Sequence, residues 1–259
     1  MTEESMQLHY DEYGEGKPLF ILHGLFGSAS NFRSLAKVFA AHMHVFCVDL
    51  RNHGQSPHGE DICYDTLAKD VIRLVDHIGA DKINILGHSM GGKVAMQCAL
   101  TYPDRIDSLI VGDIAPVYYP PHHSEIFAAF RAVDEAGIIK RNDAETIMRD
   151  YVDDSGVRMF LLSNLRCDPD GRFRWRLNYP VLSDHYDDIA AAPEGYPFDG
   201  KTLFIRGGRS EYIPTAYEPA IYDLFPAAAI ETIAGAGHWL HAEKPVEFTN
   251  IIEKFIKAD

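Results

Sequence analysis

Short apolar and β-branched runs alternate along the chain with longer segments of helical periodicity. The runs are LFIL at 19–22, HVFCVDL at 44–50, INIL at 83–86, LIV at 109–111, LFIR at 203–206 and IETI at 230–233. Each is a candidate strand, apolar enough for burial on both faces and halted at or near a glycine. Between them, residues 32–41, 64–78, 91–101 and 245–257 read as helices. In the second of these, Leu67, Val71, Leu74, Val75 and Ile78 recur at helical spacing, and Gly79 closes it. Strands that alternate with helices predict an α/β fold: a mostly parallel central sheet with helices on both faces.

The alternation breaks once. From about Pro116 to Phe198 no run reads as a buried strand, and helices are predicted near 124–136, 143–152 and 156–165, with Asn142 as an N-cap. An interruption of that length is too long for a plain loop. The expected organisation is a core of residues 1–115 and 200–259 with an inserted helical cap at 116–199.

In a sheet of this kind reactive groups gather beyond the C-terminal ends of the strands. His23, Ser89, Asp113 and His238 all follow predicted strand ends. Gly87-His88-Ser89-Met90-Gly91 matches the G-x-S-x-G nucleophile elbow, whose sharp strand-to-helix turn requires flanking glycines. The pattern alone arises by chance in roughly one chain in ten of this length. Here an apolar strand precedes it and a helix follows, which separates it from a serine in an ordinary turn. The Met90 N–H, at the start of that helix, is placed to stabilise an oxyanion. The loop HGLFGS at 23–28 leaves a second amide for the same purpose, that of Leu25, with Phe26 as the alternative donor. His23 is expected to orient the loop. A serine hydroxyl needs a base, and His238, on a glycine-rich loop before the last helix, is the candidate; His241 is its local competitor.

Composition narrows the class. The 259 residues carry a formal net charge of −14, which argues against a nucleic-acid partner and fits simple solubility. Cys47, Cys63, Cys98 and Cys167 are widely spaced with no CxxC pair, and Cys47 and Cys98 sit in apolar segments as small hydrophobes. Residues 1–10 hold two glutamates and no basic, apolar leader, and no apolar run reaches the roughly 18 residues of a membrane span. A soluble, cytoplasmic protein is the expectation, with no membrane association. His122 and His123 lack ligand partners at metal-binding spacing, and no dinucleotide or phosphate-loop fingerprint occurs, so neither metal nor cofactor is expected.

HGLFGS, DLRNHGQS, GHSMGG and GAGHWLHAEKP, in that order and across nearly the whole chain, resemble the serine-dependent α/β hydrolases. The resemblance implies Ser89 as nucleophile, His238 as base and the Leu25 and Met90 amides as oxyanion donors. It implies loop-shaping roles for Asp49, Arg51 and Gly54. One departure stands out. Many members carry their acid three residues after the glycine that ends the strand following the cap; here that stretch is Gly207-Gly208-Arg209-Ser210-Glu211, with serine at the acid position. Asp113, at the end of the preceding strand, is the better acid candidate, with Glu211 its rival. A minority of the superfamily, including the YbfF-type esterases, has the acid there, and this chain is similar to those in length, cap and both acid regions. In that reading Ser210 is an accessory group that supports the Asp–His pair.

The implied chemistry is hydrolysis of a small-molecule carboxylic ester or acyl thioester through an acyl-Ser89 intermediate, with short acyl and acyl-CoA substrates included. A C–C bond hydrolase and a cofactor-free haloperoxidase use the same triad, and a slow-turnover receptor shares the fold. A dehalogenase would place a carboxylate at position 89. In the cap, Arg172, Arg174 and Arg176 alternate around Trp175, either as a handle for an anionic substrate group or as a solvated, salt-bridged segment. Oligomeric state is not encoded in any pattern found.

Overall fold

The computed structural model describes residues 6–258. The first half runs β1 (Tyr10–Tyr13), β2 (Lys17–Leu22), α1 (Arg33–Phe39), β3 (Met43–Val48), α2 (Tyr64–His77), β4 (Ile83–His88), α3 (Met90–Thr101) and β5 (Ile106–Gly112). Between β5 and the next core strand lie α4 (Ser124–Glu135), α5 (Arg141–Met148), α6 (Ser155–Leu162), a hairpin of β6 (Leu165–Cys167) and β7 (Phe173–Trp175), α7 (Tyr179–Asp184) and α8 (Tyr186–Ala190). The chain closes with β8 (Lys201–Gly207), α9 (Glu218–Leu224), β9 (Ala228–Ile233), α10 (Leu240–Glu243) and α11 (Pro245–Lys257).

Seven strands form one sheet in the order β1-β3-β2-β4-β5-β8-β9. Only β1 runs antiparallel to its neighbour. The predicted α/β hydrolase fold, with its mostly parallel sheet, is therefore the observed one. Side chains alternate between two cores, as a period of two requires. Leu19 and Ile21 of β2, Val45 and Cys47 of β3 and Leu86 of β4 join Leu35 and Phe39 of α1 and Phe248 and Ile252 of α11 on one face. Phe20 and Leu22, Phe46 and Val48, and Ile83 and Ile85 join α2 and α3 on the other.

Four features differ from expectation. The edge strand β1 was not anticipated, since its YDEY sequence holds no apolar run; its residues pair with Val45–Val48 through the backbone ladder, and the Tyr10 ring packs edge-on against Phe46 at 5.6 Å. The other edge strand, β9, is not buried on both faces: Glu231 and Thr232 are exposed. The 116–198 stretch contains the β6–β7 hairpin, anchored by buried Leu165 and Trp175 at its paired ends. The helix expected to be capped by Asn142 begins at Arg141 with Lys140 in the cap position, so Asn142 lies in its first turn. No disulfide forms among the four cysteines, and Cys47 and Cys98 are buried in the two cores. No helix of the described residues is long and apolar enough to cross a membrane.

The packing of α3 against the sheet depends on two glycines. A Cβ on Gly87 would meet the Gly91 carbonyl oxygen at 2.1 Å, and one on Gly91 would meet the carbonyl oxygens of Leu22 and His23 at 2.5 Å. These are backbone atoms, which cannot rotate away. Gly91→Ala is therefore expected to lower stability by about 1–3 kcal/mol in denaturant unfolding, the usual range for overpacking. An unchanged midpoint and slope would mean that the helix has room the structure does not provide.

Candidate active site

Ser89 stands between the end of β4 and the start of α3 with φ 54° and ψ −122°, a conformation that L residues rarely adopt. Its backbone is locked there from both sides: Ser89 N–H donates to the Gly112 carbonyl at 2.9 Å, and its own carbonyl accepts from Gly92 N–H at 2.8 Å. The turn exposes Oγ above the central strand of the sheet. Asp113 follows the neighbouring strand β5, also at positive φ (51°), and its N–H donates to the Ile205 carbonyl of β8 at 2.8 Å. His238 arrives from the loop after β9.

These three side chains form a continuous line. His238 Nε2 lies 3.1 Å from Ser89 Oγ, and His238 Nδ1 lies 2.8 Å from Asp113 Oδ2. Asp113 is fully buried, and both its oxygens are occupied: Oδ1 accepts from Gly207 N–H at 2.8 Å, and Oδ2 also accepts from the Ser210 hydroxyl. With Asp113 as the acceptor at Nδ1, that nitrogen carries the hydrogen and Nε2 presents a lone pair to Ser89. Glu211 is exposed and is not brought to His238. His241 is buried on the far side of His88, stacked on Phe32 at 4.6 Å, with its Nδ1 unpaired.

The amides of Leu25 and Met90 both belong to residues lining the space over Ser89. Among the described residues, neither donates to a protein acceptor. The alternative donor Phe26 is already committed, since its N–H donates to His53 Nε2 at 3.3 Å. His23 is held at both ring nitrogens by backbone, Nδ1–H donating to the Gly24 carbonyl at 2.8 Å and Nε2 accepting from Leu50 N–H at 3.0 Å. Asp49 accepts from Ala29 N–H at 2.7 Å and Gln55 N–H at 2.9 Å, and Arg51 is paired with Asp70. A Cβ on Gly54 would lie 2.2 Å from the Asp49 carboxyl, so the close approach requires glycine at that position.

Two groups that sequence reasoning did not single out complete the site. His88 Nε2 donates to the His238 carbonyl at 2.7 Å and so ties the His238 backbone to the end of β4. Tyr212 stacks on the His238 ring at 4.0 Å between centroids. The only sequence signal for His88 was its place inside the elbow motif, and Tyr212 gave none.

Two cavities meet at Ser89 and share Leu25, His122, His123 and Tyr212. The smaller, of about 50 Å³, is lined by Tyr64, Met90, Lys93, Tyr119 and Ile189. The larger, of about 880 Å³, runs past His238 to Ile126, Val157, Phe160 and Trp239. The roof over both comes from the chain between β5 and β8, and core residues hold it down. Phe26 inserts its ring edge-on against Phe127 and Phe130 at 5.3 Å each, and its carbonyl accepts from Asn164 Nδ2 at 2.8 Å. Lys93 donates to the carbonyls of Ala190 and Ala191 at 2.8 and 2.5 Å, with burial lowering its pKa to about 7. His122 and His123 pair with Tyr212 and Tyr186. The arginines flanking Trp175 are not brought to the site: Arg172, Arg174 and Arg176 are exposed, none lines either cavity, and Arg174 is paired with Asp168 and Asp170.

The chain was compared with known proteins. The family model described as alpha/beta hydrolase fold matches residues 17–135. The chain is 40% identical over 269 residues to the sn-1-specific diacylglycerol lipase ABHD11 of Danio rerio, covering 99% of this chain and 84% of that protein. It is 41% identical over 240 residues to Esterase YbfF of Escherichia coli strain K12, covering 92% of each. Among solved structures, one titled "Marine microorganism esterase" superposes with a TM-score of 0.94 at 38% identity, over 97% of this chain and 100% of that one.

The histidines around the site carry a consequence for stability. Burial lowers His23 and His241 to about 4; it lowers His53 and His123 to about 3, with neighbouring histidines adding to the effect, and it holds His88 well below its ordinary value. In the unfolded chain each takes a proton near pH 6.5, so between that value and the folded one the unfolded state binds more protons. The stability from their burial is fully present above about pH 6.5 and is lost as pH falls through the folded-state values, at about 1.4 kcal/mol per pH unit for each histidine. Chemical denaturation from pH 7 to pH 4 is expected to show this decline. His241→Phe, which keeps a ring against Phe32, should flatten it by one histidine's share; an unchanged slope would contradict the burial account.

Proposed function

This chain belongs to the α/β-hydrolase fold family, and on that premise we propose that it hydrolyses carboxylic esters through an acyl-Ser89 intermediate. The observation that carries the proposal is the unbroken hydrogen-bonded line from Ser89 Oγ through His238 to buried Asp113. Two of the relatives, an esterase and a diacylglycerol lipase, support the ester class.

In the proposed mechanism Ser89 Oγ attacks the carbonyl carbon while His238 Nε2 takes its proton. Asp113 holds the imidazole in the required tautomer and stabilises the imidazolium. The oxyanion accepts from the free amides of Leu25 and Met90, each such donor contributing about 3–4 kcal/mol to the transition state. The C–O bond then breaks, and His238 returns its proton to the departing alkoxide. Water repeats the sequence on the acyl-enzyme, releasing the acid. Every group required belongs to the chain itself, so no cofactor enters. A thioester follows the same steps with a thiol as leaving group, and acyl-CoA is included in the proposal.

The orientation of the substrate follows from which cavity His238 faces. The leaving group must receive its proton from His238, which lines only the larger cavity. The acyl group then occupies the smaller chamber beside Met90 and Lys93, which suits a short chain of few carbons. The larger cavity admits a bulky alcohol or thiol. Residues 116–199 act in this reading as a cap that shapes both spaces and limits water.

Turnover of 4-nitrophenyl esters of increasing acyl length tests the proposal, with acyl-CoAs alongside. Short chains are expected to react best, and Ser89→Ala is expected to lose at least about 10³-fold in kcat and all labelling by a fluorophosphonate. A single covalent event per chain, without turnover, would replace the enzyme with a receptor. His238→Ala should remove activity, and His241→Ala should cost far less.

The same assay separates the two carboxylates. Asp113→Asn is expected to lower kcat by roughly 10²–10⁴-fold and Glu211→Gln to leave it nearly unchanged, with Ser210→Ala between them. The reverse ranking of Asp113 and Glu211 would overturn the acid assignment.

A further inference from the structure

Hydrogen bonds alone leave the His238 ring under-determined. The bond from Nδ1 to Asp113 defines one axis, and the ring can still rotate about it. The second restraint, the contact of Nε2 with Ser89 Oγ, is the one that changes when Oγ leaves to attack. What remains through that step is contact with the faces of the ring. One face meets Tyr212, stacked at 4.0 Å with 23° between the planes. His88 also lies near the ring, but farther away at 4.8 Å and tilted by 42°.

We propose that Tyr212 is a positioning residue for His238, its ring face holding the imidazole in plane and stabilising the imidazolium that forms during reaction. The proposal rests on the mechanism above, which makes His238 the base. An aromatic face carries negative potential, so it attracts a flat cation laid against it. That attraction is weak while the imidazole is neutral and grows as the proton arrives, which is the requirement for catalysis.

Tyr212 is itself rigidly held. Its carbonyl accepts from the Tyr119 hydroxyl, which in turn accepts from Ala115 N–H at 2.9 Å. Its N–H donates to Ser210 Oγ at 3.2 Å. Its hydroxyl meets His122 Nε2 at 3.0 Å, and because His122 Nδ1 faces the Pro120 carbonyl, Nε2 accepts. The loop after β8 therefore grips both members of the acid–base pair: Ser210 holds the Asp113 carboxylate, and Tyr212, two residues on, holds the His238 ring. The stretch where many relatives in this fold carry the acid remains part of the machinery as its clamp.

The test compares Tyr212→Phe, which keeps the face and loses the hydroxyl, with Tyr212→Leu and Tyr212→Met, which lose the face and keep bulk. With 4-nitrophenyl butyrate, Tyr212→Phe is expected to stay within about 2-fold of wild type. The two aliphatic variants should lose roughly 3- to 30-fold in kcat with KM little changed, the fold-change of a cation–π contact. The loss should be larger on ethyl butyrate, whose poor leaving group depends more on the imidazolium. A second readout needs no turnover: the His238 Nδ1–H proton resonance should stay sharp in wild type and Tyr212→Phe and be lost to exchange in the aliphatic variants. Aliphatic variants that match Tyr212→Phe in rate and resonance would overturn the proposal, as would a Phe variant as impaired as they are. If wild type turns over no ester, the esterase reading fails instead, and the resonance alone decides whether Tyr212 holds the ring.

Discussion

The arrangement around Ser89 depends on one buried anion. Removing the Asp113 carboxylate from water is costly unless its oxygens are met by donors inside the protein. Two segments distant in sequence supply them: the end of β8 and the loop that follows it, with the Gly207 amide and the Ser210 hydroxyl, and the loop after β9, with the imidazole of His238. None of these partners could relax away without leaving a buried charge short of a bond. The carboxylate thereby specifies where three strand ends must lie relative to one another, and Ser89, held to β5 through Gly112, is placed by the same construction.

The backbone shows where this placement is tight. Among the described residues, four other than glycine have positive φ: Phe26, Asn52, Ser89 and Asp113. All four follow strands β2, β3, β4 and β5, at the end of the sheet where the site lies. Each costs on the order of 1–3 kcal/mol of local strain and persists only when its surroundings over-determine it. Ser89 and Asp113 are bracketed by backbone bonds to the adjacent strands. Phe26 is pinned by His53 from below and by the aromatic rings of α4 from above. The carbonyl of Asn52 accepts from Asn178 N–H at 2.8 Å. Two of the four strained residues thus bond directly to the chain between β5 and β8, so the core loops and the roof over the cavities stabilise one another.

Much of this was legible in the sequence because it is governed by local rules. Strands buried between two layers of helices must be apolar on both faces, so β2, β4, β5 and β8 stood out, as did the periodic faces of α2 and α11. The elbow glycines were legible because Gly87 and Gly91 have no room for a Cβ. The edges were not: β1 is four residues with no apolar run, and β9 exposes half its residues. The hairpin β6–β7 is three residues per strand, too short for any period to register. At the candidate site, the strand ends and glycine loops that singled out Ser89, His238 and Asp113 are local features, and the structure brings these three side chains together. Tyr212 and His88 meet His238 through tertiary contacts across 26 and 150 residues; His88 was marked only as a member of the elbow motif, and nothing in the neighbourhood of Tyr212 announces it.

The position of the acid shows why such a site tolerates rearrangement. What His238 requires at Nδ1 is a charged oxygen at hydrogen-bond distance, whatever strand delivers it. The ends of β5 and β8 are hydrogen-bonded neighbours, with Gly112 opposite Ile205, so a carboxylate on either can reach the same point. Placing it on β5 brings it beside the nucleophile strand but removes the loop after β8 from direct contact with the imidazole. That loop then has to be re-engaged, or the carboxylate would lose a donor and the ring a neighbour. Ser210, which donates to Asp113, and Tyr212, which stacks on His238, meet both needs from two residues of that loop. A serine at position 210 donates to Asp113, where a second carboxylate would set two like charges against each other.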